Sequence, residues 1–198
     1  MKPKVFCIGF HKTGTTSIAN ALSTLGYRVT GPNGQNDPNI EKNVLHMAFE
    51  LVERFDAFQD NPWPIIYKEI DEKFPGSKFI LLERDPQSWI KSQIKHFGQS
   101  ETPMRKWIYG QGSPVGNEAI YLERFKRHNE EVVFHFRHRP KDLLVMNLSD
   151  GDGWHKLCGF LEEDAPACEF PHSNKASDRE VNSKLRLLKK TLVRCFDS

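Results

Sequence analysis

The segment FHKTGTTS, residues 10–17, sets one ammonium and a run of hydroxyls around a glycine. An apolar run, KVFCIGF, leads into it and an amphipathic pattern follows, so the order is strand, loop, helix. Backbone amides at such a helix start form a nest for a tetrahedral oxyanion, and the hydroxyls of Thr13, Thr15, Thr16 and Ser17 add donors. Gly9 and Gly14 keep the spacing of the ATP-binding G-x-x-x-x-G-K-[ST] loop. Yet Thr15 stands where that loop carries its lysine, and Lys12 lies inside the loop instead. G-x-G-x-x-G is absent, which speaks against a dinucleotide, and the long apolar strand FILLERD delivers Arg84 first rather than a Mg²⁺-binding acid. One lysine, several hydroxyls and no evident metal suit a group less charged than a triphosphate. Sulfuryl is such a group.

FHKTGTTS resembles the 5′-phosphosulfate-binding loop of sulfotransferases that use 3′-phosphoadenosine 5′-phosphosulfate (PAPS). ERDPQSWIKS resembles the 3′-phosphate motif of the same family, an Arg at a strand end followed eight residues later by a Ser. Arg84 and Ser92 meet it, since 92 minus 84 is eight. With DAFQD, RHN, LLVMNLSDGDGWHKLCGFL and FPHSN in this order, the chain is similar to compact sulfotransferases of bacteria and some eukaryotes from Lys4 to about Lys175. The resemblance implies a P-loop nucleoside-triphosphate-hydrolase-like sulfotransferase fold and PAPS as donor. It also implies 3′,5′-adenosine bisphosphate as product, a small-molecule or glycan acceptor with a hydroxyl or amine, and no required metal. By the same resemblance Lys12 contacts the bridging oxygen and helps the bisphosphate depart. Thr13, Gly14, Thr15, Thr16 and Ser17 hold the 5′-phosphate and sulfuryl oxygens, and Arg84 and Ser92 hold the 3′-phosphate. Related enzymes close the nucleotide site with a late basic loop, which points to Lys175, although the family's Lys-Gly element is missing there.

Sulfotransferases also need a base for the acceptor. Asp60, closing DAFQD, is the first choice and His11 the second. The competing structural reading of Asp60 is the cap of a helix at Trp63, and the His11 imidazole reads equally as an organiser of the loop. Trp89 reads as core or as a ring stacked on adenine, and Trp107 and Tyr109 hint at an apolar or sugar-like face for the acceptor. Two other functions stay open: a P-loop kinase of a small metabolite, and a non-catalytic nucleotide-binding protein of the same fold.

The elements that must position these groups follow from periodicity. Strands are expected in KVFCIGF, YRVTG, DAFQD, SKFILLERD and DLLVMNL, alternating with helices. Ile18, Ala21, Leu22 and Leu25 mark the helix after the loop, and Val44, Leu45, Ala48, Leu51, Val52 and Phe55 mark the next. Residues 61–74 read as a helix opened by Pro64. Asp85 caps a helix whose inward face is Trp89, Ile90, Gln93, Ile94 and Phe97. Residues 98–117 read as a long substrate loop or lid, 118–136 as a helix and 178–198 as a terminal amphipathic helix. This alternation predicts an α/β fold, a three-layer αβα sandwich with a mostly parallel central sheet, formed by one domain over residues 1–198. In such sheets ligands bind at the carboxyl ends of the strands.

Bulk composition narrows the partners. With 28 Lys+Arg against 26 Asp+Glu, general attraction to nucleic acid is not implied and any anion site is local. No stretch approaches the roughly 18 apolar residues of a membrane span. Cys7, Cys158, Cys168 and Cys195 form no CxxC pair or zinc-ligand spacing, which fits free thiols in a reducing cytoplasm.

Overall fold

Five parallel strands form the centre of the molecule in the order β2-β3-β1-β4-β5. The structure is a computed structural model and describes residues 2–172. Lys175, Cys195 and the terminal helix expected over 178–198 lie outside the described residues.

The strands are β1 (Val5–Cys7), β2 (Val29–Thr30), β3 (Ala57–Phe58), β4 (Lys78–Leu82) and β5 (Leu143–Met146). Both neighbours of β1 pair with it in parallel, Val5 opposite Ala57 on one side and opposite Lys78 on the other. The three-layer α/β architecture expected from the alternation is therefore present.

Strand side chains alternate, and this explains the layers. Phe6, Phe79 and Leu81 point into one core, with Phe58, Trp63 and residues of the helices α2 (Ile40–Arg54), α3 (Tyr67–Lys73), α4 (Pro86–Phe97), α5 (Pro103–Tyr109) and α6 (Glu118–Phe136). Val5, Cys7, Ile80 and Leu82 point to the other face, against Ile18, Ala21 and Leu22 of α1 (Thr15–Thr24) and Leu157 and Leu161 of α7 (Trp154–Leu161). Burying each such side chain stabilises the fold by about 1.5–3 kcal/mol. The first core is rich in aromatics, with Phe6 stacked on Phe58 at 4.6 Å and Trp89 on Phe125 at 4.3 Å. Trp89 is thus a core residue, fully buried. None of the described helices is long and apolar enough to cross a membrane.

Two elements differ from expectation. The helix expected from residue 61 begins only at Tyr67, because Pro62 and Pro64 disfavour the helical region for the residues before them, Asn61 and Trp63, and residues 61–66 form turns. Within 98–117, residues Pro103–Tyr109 form α5. Its signals were local: Thr102 accepts from the Arg105 amide at 3.2 Å, Pro103 occupies the first turn, and Gly110 ends the helix in the left-handed region. Met104, Ile108 and Tyr109 of this helix are buried, and Tyr109 stacks on Tyr121 at 3.8 Å. Tyr109 therefore belongs to the core rather than to an open acceptor face.

Candidate active site

The carboxyl ends of the three central strands converge on one cleft of about 980 Å³. From β1 comes the loop His11–Ser17, from β3 comes Asp60, and from β4 comes Arg84, followed along α4 by Ser88, Lys91, Ser92 and Lys95. The structure brings together every expected site residue that it describes: His11, Lys12, Thr13, Gly14, Thr15, Thr16, Ser17, Asp60, Arg84 and Ser92 all line this cleft. His172, the last described residue, lines it too.

Bonds within the loop set its shape. Its turn is closed by Thr13, whose Oγ1 donates to the Phe10 carbonyl at 2.6 Å. Lys12 takes φ 68°, a left-handed conformation that costs a non-glycine residue about 1–3 kcal/mol and is kept only where its surroundings enforce it. Gly14 follows at φ 112° as the cap of α1, where an added Cβ would lie 2.7 Å from Leu148 Cδ1. This cap makes no side-chain hydrogen bond, and the first turn of α1 holds no acidic residue. The Ser17 and Ile18 amides bond the Gly14 carbonyl at 2.9 and 3.1 Å, so this acid-free start offers an anion the amides that precede them and the positive end of the helix dipole.

The donor set also fits an anion. Lys12, Arg84, Lys91, Lys95 and Arg105 line the cleft, and Asp60 is its one carboxylate among the described residues. Arg84 Nη1 donates to the Lys12 carbonyl at 2.8 Å, while its Nε is buried without an acceptor among the described residues. The planar fork thus keeps donor capacity beyond the bond that fixes it to the loop. Lys91 and Lys95 were missed in the sequence. Their signal was the stripe Ser88, Lys91, Ser92, Lys95 at i, i+3, i+4, i+7, opposite the apolar face.

His11 sits at the back of the cleft and is buried. Its Nδ1 accepts from Asn61 Nδ2 at 2.7 Å, which places the ring proton on Nε2, 3.3 Å from Tyr109 Oη. Burial pushes its pKa down to about 4, outweighing the raising influence of the Asp60 carboxylate. Asp60 itself has φ 63°, accepts from the Asn61 amide at 2.7 Å through Oδ1, and caps no helix. Its other oxygen, Oδ2, accepts from Thr15 Oγ1 at 3.2 Å. Beside it Pro32 and Gln35 line the cleft, in a loop tied to the segment after β3 by the Asn33 amide donating to the Asn61 carbonyl at 2.9 Å. On the far wall Arg105 is buried, donates to the Gly112 carbonyl at 2.8 Å and covers the Phe97 ring at 4.3 Å. A second cleft, of about 660 Å³, lies between α2 and α5 and takes in Trp107.

The chain matches known proteins along most of its length. The model of the sulfotransferase domain family covers residues 4–117 and 102–179. The curated protein "Ava biosynthesis cluster protein M" of Aspergillus versicolor is 26% identical over 216 aligned residues, which cover 85% of this chain and 80% of that protein. By this match, with which the five-stranded parallel fold agrees, the chain belongs to the sulfotransferase domain family.

Proposed function

We propose that this chain moves a sulfuryl group from PAPS to a hydroxyl or amine of a small-molecule or glycan acceptor. One observation carries the reading. The Lys12 loop and the Arg84 strand end are joined by the 2.8 Å bond from guanidinium to Lys12 carbonyl, with Ser88 and Ser92 on the same wall. Two anion-gripping elements locked side by side suit a ligand with two phosphate-type ends. When bound, PAPS supplies an activated sulfuryl group whose departure leaves negative charge on the 5′-phosphate.

The residues divide the work. The amides of the loop and the hydroxyls of Thr15, Thr16 and Ser17 hold the phosphosulfate end, and Lys12 adds positive charge where negative charge develops. Such preorganised stabilisation contributes about 3 kcal/mol per donor. Arg84 and Ser92 hold the 3′-phosphate, with Ser88 and Lys91 beside them, and Lys175 is assigned to the same phosphate. Asp60 takes the acceptor's proton on a carboxylate oxygen. His11, with both ring nitrogens engaged and low basicity, is the weaker base and instead orders Asn61 next to Asp60. The name of the Aspergillus relative refers to a biosynthesis cluster, which agrees with a small-molecule acceptor.

Calorimetry and thermal shift with PAPS, 3′,5′-adenosine bisphosphate and ATP·Mg²⁺ test the reading. Stabilisation by the first two and not by ATP·Mg²⁺ is expected. Stabilisation by ATP·Mg²⁺ alone would make the chain a metabolite kinase. Binding of the bisphosphate without sulfuryl transfer to any acceptor in a labelled-donor screen would make it a nucleotide-binding protein only.

A further inference from the structure

The inward face of α4 carries a polar residue where packing asks for an apolar one. Gln93 is fully buried in line with Trp89 and Ile90. Its Nε2 donates to the His11 carbonyl at 3.0 Å, but its Oε1 has no partner among the described residues. A buried amide that leaves its acceptor unpaired is unfavourable beside a leucine of similar size. What it does reach is His11, whose carbonyl it bonds and whose ring its side chain also influences, and this accounts for its presence. Trp89 makes the companion bond: its Nε1 donates to the same His11 carbonyl at 2.9 Å, and its ring is held flat against Phe125. Two donors on one oxygen use both of its lone pairs and fix the direction of the His11–Lys12 peptide.

That peptide is the one that enters the left-handed residue. Across a trans peptide the carbonyl and the following N–H point to opposite sides, so holding the His11 oxygen toward α4 turns the Lys12 N–H away from it. Arg84 then takes the next carbonyl, that of Lys12. Two successive carbonyls are held by three side chains, all from the segment that carries Arg84 and Ser92, around a residue whose φ of 68° is unfavourable by itself.

We infer that Trp89 and Gln93 are positioning residues that hold the Lys12 loop in the conformation that grips the 5′ end of the donor. They transmit the rigidity of the 3′-phosphate element to the 5′ loop. The inference rests on the proposed donor site, and the donor's two phosphate ends allow the two to be tested apart.

Competition calorimetry with adenosine 3′-monophosphate and adenosine 3′,5′-bisphosphate gives, as the ratio of the two Kd values, the contribution of the 5′ loop alone. In Trp89→Phe and Gln93→Leu this ratio falls severalfold, and in the double variant by about tenfold or more, while 3′-monophosphate binding stays at the wild-type value. The melting temperature of Gln93→Leu is unchanged or raised, because a leucine fits the core. A ratio within about twofold of wild type in the double variant overturns the inference. Equal loss of both ligands also overturns it, since the residues would then act on the fold as a whole. Wild-type protein that binds neither nucleotide sinks the donor reading itself, and the variants' role with it.

Discussion

Thr15 Oγ1 lies 3.2 Å from Asp60 Oδ2, so the first residue of α1 and the residue two beyond β3 share a hydrogen bond in the cleft. The bond joins the start of α1 to the cleft's one carboxylate among the described residues, and the Asn61 amide holds the other oxygen at 2.7 Å. Under the proposed reaction, a carboxylate oriented from both sides would take the acceptor's proton in a fixed direction. Asp60→Asn keeps the shape and removes the basicity. Turnover is expected to fall by about 100-fold or more, with the affinity for 3′,5′-adenosine bisphosphate little changed. Labelled-sulfuryl transfer and calorimetry on the same variant check this, and undiminished turnover would remove Asp60 from the mechanism.

Lys12→Ala separates chemistry from folding. The side chain leaves the loop's carbonyl anchors in place, because Arg84, Trp89 and Gln93 bind backbone oxygens. We expect kcat to drop by about 3 kcal/mol of barrier, roughly 100- to 1,000-fold, with a melting temperature close to wild type.

Arg84→Ala acts on binding. It removes a charged donor for phosphate together with the bond to the Lys12 carbonyl. The Kd for 3′,5′-adenosine bisphosphate should rise by about 30-fold, equivalent to about 2 kcal/mol. Arg84→Lys should restore only part of this, because an ammonium lacks the planar fork. An unchanged Kd in Arg84→Ala would show that the second motif does not touch the nucleotide.

Gly14→Ala tests the loop's backbone. At φ 112° a Cβ is strained by roughly 1–2 kcal/mol, and here it would also meet Leu148 Cδ1 at 2.7 Å. Loss of bisphosphate binding is expected. Adding Leu148→Ala opens the space but not the dihedral, so the double variant should recover stability only in part, as read by urea denaturation.

Acid should weaken the fold before the carboxylates titrate. His128 is fully buried between Phe10 and Tyr67, and its Nε2 bonds the Ile8 carbonyl at 2.7 Å. Burial pushes its pKa down to about 3, and that of His11 to about 4, from an ordinary 6.5. Below about pH 6.5 the unfolded chain takes up protons on these rings and the folded chain does not. Stability is thus complete above that pH and declines as pH falls toward 4, by up to ~1.4 kcal/mol per pH unit for each histidine. Urea midpoints at pH 7.5, 6 and 5 read this slope. His128→Gln, which retains a donor for Ile8, should flatten it.

Much of this protein was legible in its sequence. KVFCIGF, SKFILLERD and the 3.6-residue stripes of α1, α2, α4 and α6 are local patterns, set by neighbours two to four positions apart. FHKTGTTS and the Arg84–Ser92 spacing are local as well, so the loop, the strand-end arginine and their residues could be named before any coordinates. The helix α5 was hidden because its apolar residues span only seven positions within Gly/Ser/Pro-rich flanks. Tertiary structure alone decided what those residues touch. That His11 is locked between Asn61 and Tyr109, and that Trp89 and Gln93 hold its carbonyl, are contacts across 50, 98, 78 and 82 positions of chain. Such bonds depend on the strand order, which puts β1 between β3 and β4 and so brings the ends of all three to one cleft. Periodicity reports which face a residue takes within its own element; only the packing of the elements against one another determines which distant partner meets it there.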